Sequence, residues 1–294
     1  MWQLREYKNQ QDTVTLRSGI HVPCVGFGTW KMPPAVAEEA VAQALQAGYR
    51  HIDTATAYCN EAGVGSGMKK SGIKREEIFL VTKLPNADHG YAKAKAAMDT
   101  ALKDLQVDYV DSYLVHWPVI EEHKHRYEED ICETWQAVLD LKKEGKLRVA
   151  GVSNFMIEHL DILKKNGLEL PEINQTQFHP QCTEQELRAY CEKEQILVEA
   201  WSPLIQGQAF EREILIRMAE KYQKSVAQIC VRFCLQNHVV PVPKSTNPER
   251  MKNNADVFDF VISEEDMKEI ATLESLGRIG NPPSVPRKVQ VVGF

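Results

Sequence analysis

The chain contains 294 residues, of which 43% are hydrophobic and 26% charged. This balance is typical of a folded globular protein and excludes disordered, collagen-like and coiled-coil chains. Lysine and arginine total 35 against 41 aspartate and glutamate residues, and the net charge of −6 argues against a broad basic surface for nucleic acid. Residues 1–12 lack the apolar core of a secretory signal, and no apolar run approaches the roughly 18 residues that span a bilayer. We therefore expect a cytoplasmic protein with no membrane or nucleic-acid partner.

In chain order, the first predicted element is a short hairpin formed by 13–16 and 20–23 around Ser18-Gly19. Beyond it, apolar runs alternate with amphipathic stretches such as the helical face of Val36, Ala40 and Ala44. Eight of these runs predict strands, near 24–28, 50–54, 78–83, 110–116, 148–152, 172–177, 196–201 and 239–243. Additional helices are predicted at 212–223, 225–236 and near 263–274.

The eight apolar runs lack clean polar alternation, which predicts parallel strands that are buried on both faces. Eight strand–helix units favour a (β/α)8 TIM barrel over an open doubly wound sheet, so the fold class is α/β with an N-terminal β-hairpin and extra helices. No linker or shift in composition divides the chain, and we expect one domain over 1–294. A barrel of this kind carries its chemistry at the carboxyl ends of the strands.

Polar residues close every predicted strand, which is more than packing requires. They are Thr29, Asp53, Lys83, His116, Ser153 with Asn154, Gln175 with Gln177 and His179, Ser202, and Lys244 with Ser245.

Four residues could carry acid chemistry at this end of the barrel. Each alone has a structural explanation, but Asp53, Tyr58, Lys83 and His116 would converge on one mouth. The ordinary pKa of tyrosine, about 10, is high for proton donation near neutrality, and an adjacent Lys83 ammonium is expected to lower it. Asp53 would keep Lys83 charged, and His116 would orient a substrate oxygen. The group left to donate a proton is Tyr58.

Eight motifs in this order carry a resemblance to a known family. They are GFGTWK (26–31), HIDTATAYCNEAGVG (51–65), VTKL (81–84), DSYLVHWP (111–118), GVSNF (151–155), INQTQFHP (173–180), WSPL (201–204) and VPKSTNPERMKNNADVFDF (242–260). From the hairpin to about residue 275 the chain resembles the aldo-keto reductases, in particular their bacterial glyoxal, methylglyoxal and diketogluconate reductase-like branch. The resemblance implies reduction of aldehydes and ketones to alcohols with NADPH. It also implies an intact catalytic tetrad: Asp53, Tyr58, Lys83 and His116.

No glycine fingerprint of a Rossmann dinucleotide site follows any predicted strand. The resemblance implies a different cofactor site at the barrel mouth. Ser153, Asn154 and Gln175 would hold the nicotinamide carboxamide, and Trp201 would stack on the nicotinamide ring. Further contacts are implied at neighbouring positions: Gly28, Thr29, Ser202, Leu204 and the backbone of 205–208.

The stretch after the last strand bears on the choice of cofactor. Lys244, Ser245 and Arg250 form a small cationic cluster at the start of a predicted helix, with Thr246 between them. Such a cluster is common on protein surfaces, but with the family resemblance it favours an adenosine 2′-phosphate, because arginine binds phosphate with two parallel hydrogen bonds. NADPH is therefore expected in preference to NADH, with Asn254 at the adenine.

Trp30, His116 and Trp117 are expected to line the pocket for a small-molecule carbonyl substrate. Rim candidates lie in the polar loop 118–130 and in the tail, at Arg278, Arg287, Lys288 and Phe294. We interpret the histidines of 123–126 as part of a solvated loop, so no metal site is expected there. We expect a monomer.

Two other classes of function remain open. Lys83 at a strand end could form a Schiff base, as in barrel aldolases, but a lyase leaves the cluster around Arg250 and the tryptophan Trp201 unexplained. A nucleotide-sensing barrel without turnover is the second, and the intact tetrad counts against it. Borohydride trapping tests the first and substrate turnover tests the second.

Overall fold

The structure is a computed structural model that describes residues 7–288. The strands in this range are β1 (Thr13–Thr15), β2 (His21–Pro23), β3 (Phe27–Gly28), β4 (His51–Asp53), β5 (Phe79–Leu84), β6 (Val110–Val115), β7 (Leu147–Ser153), β8 (Ile173–Gln177), β9 (Leu197–Trp201) and β10 (Val240–Pro241). The α-helices in it are α1 (Pro34–Gln46), α2 (Glu61–Ser71), α3 (Tyr91–Leu105), α4 (Tyr127–Lys143), α5 (Ile157–Lys165), α6 (Gln185–Lys193), α7 (Glu213–Tyr222), α8 (Val226–Gln236), α9 (Pro248–Ala255) and α10 (Glu264–Ala271).

Strands β3 to β10 form one parallel sheet in which each strand pairs with the next. The sheet closes on itself through backbone hydrogen bonds between its first and last strands. Gly26 N donates to Pro241 O at 2.9 Å, and Gly28 N donates to Pro243 O at 3.0 Å. A Cβ at Gly28 would lie 3.0 Å from the carbonyl oxygen of Val242, so glycine permits this close approach. The predicted (β/α)8 barrel is confirmed.

The barrel interior changes from apolar to polar along the strands, because side chains two residues apart share a face. In β5 this face carries Phe79, Val81 and then Lys83, and in β8 it carries Ile173 and then Gln175. The apolar members cluster with side chains of the β1–β2 hairpin, which pairs antiparallel. The hairpin therefore closes the amino-terminal end of the barrel, and the polar side chains collect at the opposite end.

The helices pack around the outside of the barrel through a second, larger apolar cluster. Two of its largest fully buried side chains also satisfy their polar atoms. Trp135 Nε1 donates to Glu169 O at 2.7 Å, and Tyr49 OH donates to Met251 O at 2.9 Å. This shell holds the strand ends at fixed positions relative to one another.

The predicted elements agree with the observed ones. Each barrel strand lies within three residues of its predicted bounds, and the hairpin is confirmed. The extra helices predicted at 212–223, 225–236 and near 263–274 are α7, α8 and α10. The single domain over 1–294 stays a prediction. Across 7–288 no helix has the length and apolarity that a bilayer crossing requires.

Candidate active site at the carboxyl ends of the strands

The four residues predicted for acid chemistry meet at one mouth of the barrel. Asp53 ends β4, Lys83 lies near the end of β5, and His116 directly follows β6. Tyr58 ends a short 3-10 turn that follows β4. The next residue, Cys59, adopts φ 53°, a left-handed conformation that reverses the chain into α2.

Lys83 and Asp53 form a buried ion pair. Lys83 Nζ donates to Asp53 Oδ1 at 2.7 Å and Oδ2 at 2.8 Å, and also to the carbonyl oxygen of Thr54 at 2.8 Å. Burial opposes the charge of Lys83, but the nearby Asp53 and Tyr58 outweigh it and raise the pKa of the ammonium. The lysine is therefore a fixed cation near neutrality.

Tyr58 is half-buried between this cation and the imidazole of His116. Lys83 Nζ lies 5.4 Å from the centroid of the Tyr58 ring, and the ring centroids of Tyr58 and His116 are 5.9 Å apart. Burial raises the pKa of Tyr58, while the charge of Lys83 acts in the opposite direction. The expectation of a net lowering is wrong, because desolvation of the phenolate outweighs the lysine. The phenol keeps its proton until a partner takes it.

His116 is neutral near pH 7. Burial lowers its pKa to about 3, and the nearby charge of Lys83 contributes to the lowering. A neutral imidazole has one N–H donor and one acceptor, so His116 can donate a hydrogen bond without carrying charge. Trp117 stacks beside it, with ring centroids 6.5 Å apart.

A second group of polar side chains extends from the tetrad. Ser153 Oγ donates to Gln175 O at 2.8 Å, and Asn154 Nδ2 donates to His116 O at 2.9 Å. Trp201 Nε1 donates to Asn154 Oδ1 at 2.8 Å. Asn154 has φ 63°, which asparagine tolerates better than most residues. The side chains predicted to hold a nicotinamide ring therefore lie together and fix one another.

The segment after β10 leads into α9. Asn247 caps this helix, because its Oδ1 accepts from Glu249 N and Arg250 N, both at 3.0 Å. Ser245 and Asn254 are buried, and the residues predicted to bind phosphate alongside Ser245 are exposed: Lys244, Thr246 and Arg250. Neither Lys244 nor Arg250 takes part in any ion pair that the structure shows within 7–288.

The remaining predicted positions line the same mouth. Thr29 Oγ1 donates to Asp53 O at 3.0 Å, and Trp30 is half-buried with Lys31 Nζ 4.4 Å from its ring centroid. Ser202 has φ 53°, and at 205–207 the backbone also has positive φ, so 205–208 follows an unusual turn beside Leu204.

In the described part of the tail, Arg287 reaches this mouth. The Arg287 guanidinium lies 3.8 Å from the ring centroid of Trp117, and Arg287 N donates to Val119 O at 3.0 Å. Arg278 instead lies 3.1 Å from a Glu184 oxygen. Phe294 lies outside the described residues.

Loop 118–130 contains a short 3-10 helix, Glu121–Arg126, in which the predicted histidine run lies. His123 Nδ1 and His89 Nδ1 each lie 2.6 Å from an oxygen of Asp130, so that carboxylate joins the loop to the barrel. Within 7–288, no group of histidine, cysteine and acidic residues has the arrangement of a metal site.

Residues 24–275 match the model of the aldo/keto reductase family. The chain belongs to the aldo/keto reductase family. It is 46% identical over 274 residues to glyoxal reductase of Bacillus subtilis, which covers 93% of this chain and 96% of the relative. It is 39% identical over 272 residues to methylglyoxal reductase DkgA of Escherichia coli, at 92% and 96% coverage. The solved structure of a Gox0644 mutant in complex with NADPH superposes with a TM-score of 0.86 at 37% identity, covering 94% and 99% of the chains.

The family resemblance inferred from the motifs is thereby confirmed, and the protein is an oxidoreductase that acts on carbonyl groups.

In this aldo/keto reductase, two fully buried polar residues beneath the tetrad escaped the sequence analysis. Glu199 and His51 face each other, with 3.7 Å between Glu199 Oε1 and His51 Nε2. The only sequence signal for Glu199 is its position two residues before Trp201 in an otherwise apolar strand.

Proposed function

We propose that the protein reduces aldehydes and ketones to alcohols with NADPH, and that Tyr58 is the general acid. The observation that carries this proposal is the Lys83–Asp53 pair beside the phenol. A lysine whose raised pKa keeps it charged near neutrality provides a positive field where a phenolate forms. That field is stronger in a water-poor site than in bulk water.

The side chains fit a nicotinamide dinucleotide in their chemistry. The amide and hydroxyl groups of Ser153, Asn154 and Gln175 are a donor and acceptor set suited to a carboxamide, and the nearby Trp201 offers an aromatic face. NADPH, when bound, supplies the hydride. The proposed backbone and flanking contacts are those of Gly28, Thr29, Ser202 and Leu204.

Preference for the 2′-phosphate rests on the segment after β10. Lys244 and Arg250 are exposed cations beside the Ser245 and Thr246 side chains, at the start of α9. Phosphate binding at such a position gains from charge and from guanidinium hydrogen bonds. Asn254, buried in α9, is proposed to contact the adenine. A relative of the same fold binds NADPH, which agrees with this assignment.

The chain's own residues would act as follows. Neutral His116 donates a hydrogen bond to the carbonyl oxygen and orients it towards the phenol. Tyr58, protonated in the ground state, donates its proton as negative charge develops on that oxygen. Lys83 stabilises the phenolate left behind, and Asp53 prevents the lysine from giving up its own proton.

The proposed substrates are small aldehydes and ketoaldehydes, because two relatives are named for glyoxal and methylglyoxal reduction. Trp30 and Trp117 would form the apolar walls of the pocket. We also propose that the working unit is a monomer, to be checked by sedimentation.

The Schiff-base alternative is weakened by the geometry of Lys83. Its ammonium donates to both oxygens of Asp53 and to Thr54 O, and its pKa is raised, whereas a nucleophilic lysine must be neutral. The proposal is tested by following NADPH oxidation with methylglyoxal and a nitrobenzaldehyde. Turnover supports it, tight NADPH binding without turnover favours a sensor, and borohydride trapping without NADPH binding favours the lyase.

A further inference from the structure

A second carboxyl group lies in the barrel directly beneath the tetrad. Glu199, in the middle of β9, is fully buried and pairs in register with Gln175 on β8. Gln175 Nε2 donates to Glu199 Oε2 at 3.0 Å and to Asp53 Oδ2 at 2.7 Å. The amide of Gln175 thus bridges the carboxyl group of the tetrad and that of Glu199.

This bridge determines which end of the amide is free. A primary amide has two N–H donors on its nitrogen and acceptor capacity only on its oxygen. Both donors of Gln175 are directed to carboxyl oxygens, so the nitrogen has no hydrogen left for a ligand. Only the Gln175 oxygen remains for a further partner, and that partner must be a donor.

The other side of Glu199 faces a neutral imidazole. Burial raises the pKa of Glu199 to about 8, a rise that the hydrogen bond from Gln175 opposes, and burial lowers the pKa of His51 to about 4. Glu199 Oε1 has no hydrogen-bond partner within the described residues and lies 3.7 Å from His51 Nε2. Glu199 is therefore mainly a neutral acid near pH 7, and the Asp53–Lys83 pair carries the charge in this part of the interior.

We propose that Glu199 is a positioning residue for the cofactor: by holding the Gln175 amide nitrogen, it makes the Gln175 oxygen the acceptor for the NH2 group of the nicotinamide carboxamide. The inference rests on the proposed NADPH site. Without Glu199, the Gln175 amide would keep one anchor, at Asp53, and could rotate to present either end. The carboxamide would then lose a fixed partner, while the adenosine end of the cofactor would be unaffected.

The test is calorimetric titration of the full chain with NADPH and with 2′,5′-ADP, which has the phosphorylated adenosine but no nicotinamide. Glu199→Leu and Glu199→Asp remove or withdraw the acceptor, whereas Glu199→Gln retains an acceptor oxygen. We expect the first two to bind NADPH about tenfold more weakly, with 2′,5′-ADP unchanged. Glu199→Gln should stay within about twofold of the unsubstituted protein, which is rescue by the conservative variant.

The matched control is Glu172→Gln. Glu172 is equally buried but lies towards the hairpin end, where it accepts from Lys142 Nζ at 3.0 Å and Ser18 N at 3.0 Å. This control should leave NADPH affinity unchanged even if it lowers stability.

Unaltered NADPH affinity in both Glu199→Leu and Glu199→Asp, or an equal loss of 2′,5′-ADP affinity, would overturn the inference and leave Glu199 a packing residue. If Glu199→Leu does not fold, Glu199→Asp alone decides between these outcomes. Failure of the unsubstituted protein to bind NADPH would instead refute the proposed function, and the inference with it.

Discussion

The ammonium of Lys83 contacts both carboxylate oxygens of Asp53, at 2.7 and 2.8 Å, where neither side chain is more than 5% exposed. An ion pair this deep is costly to desolvate, so it adds little net stability compared with an apolar pair of the same size. The ion pair instead serves to place a cation next to the phenol of Tyr58, held by three hydrogen bonds and with a raised pKa.

Loss of the phenol should abolish reduction. In Tyr58→Phe we expect kcat to fall by about 10²–10⁴-fold, because the developing alkoxide has no proton donor, while the dissociation constant for NADPH stays unchanged. Steady-state kinetics and NADPH titration measure the two quantities. Tyr91→Phe, which removes the hydroxyl of an exposed tyrosine bonded to Asp140, is the matched control and should keep full activity. Near-complete turnover in Tyr58→Phe would mean that another group donates the proton.

Variants of the buried ion pair between Asp53 and Lys83 should affect stability and activity differently. Asp53→Asn leaves Lys83 buried without a counter-charge and should lower the free energy of unfolding by about 3–5 kcal/mol. The double variant Asp53→Asn with Lys83→Met removes both charges, and we expect it to regain much of that stability yet remain inactive. Denaturant unfolding and turnover are the measurements. A double variant as unstable as Asp53→Asn alone would show that the loss does not come from an unpaired charge.

The protonation of Glu199 should appear in the pH dependence of stability. Burial raises its pKa from 4.5 to about 8. Between these values the unfolded chain releases the proton and the folded chain retains it, so the unfolded state binds fewer protons and this group's stabilisation is lost as pH rises. Glu199→Gln cannot ionise. Its melting temperature should therefore rise relative to that of the unsubstituted protein between pH 4.5 and about 8, and the difference should be constant below that window.

Glu172→Gln provides the contrast. Burial opposes ionisation of Glu172, but hydrogen bonds from Ser18 and Lys142 outweigh it and lower the pKa of the carboxyl. The stabilisation that this carboxylate contributes is lost only as the pH falls below 4.5, its ordinary pKa, and through the lower pKa that it has in the folded chain. The melting-temperature difference for Glu172→Gln should thus be flat where that for Glu199→Gln changes. Parallel curves for the two variants would contradict the assignment of a neutral Glu199.

Cofactor choice should depend on Arg250. Arg250→Ala should weaken NADPH binding by about tenfold or more and leave NADH affinity nearly unchanged, because only NADPH carries the 2′-phosphate. Lys252→Ala, which removes another exposed cation of α9, is the matched control and should affect both cofactors little. Dissociation constants by titration give the result. Equal losses for NADPH and NADH would remove the 2′-phosphate assignment.

The sequence was sufficient for the barrel because the predicted strands lack clean polar alternation and end at polar residues, as in 78–83 and 110–116. It also located the tetrad, since parallel strands bring their carboxyl ends together. The direction of the Tyr58 pKa was missed, because the burial of a loop side chain depends on packing that no local pattern records.

Glu199 was missed for a related reason. From the sequence alone, a single glutamate in an apolar strand could face either side of the sheet. Only the structure shows that Glu199 faces the barrel interior, where it contacts Gln175. The contact between Arg287 and Trp117 also joins segments far apart in the chain and has no local signature.

The backbone hydrogen bonds between the first and last barrel strands form the seam that closes the barrel, and this seam has a consequence for synthesis of the chain. Gly26 and Gly28 find their backbone acceptors at Pro241 and Pro243, more than two hundred positions later. A nascent chain can form its early strands, including Asp53 and Lys83, while the ribosome is still at work. It cannot close the seam or form α9 until translation is nearly finished. A half-made chain would therefore carry Asp53 and Lys83 without a closed barrel to support them, and its exposed apolar strands would be prone to aggregation.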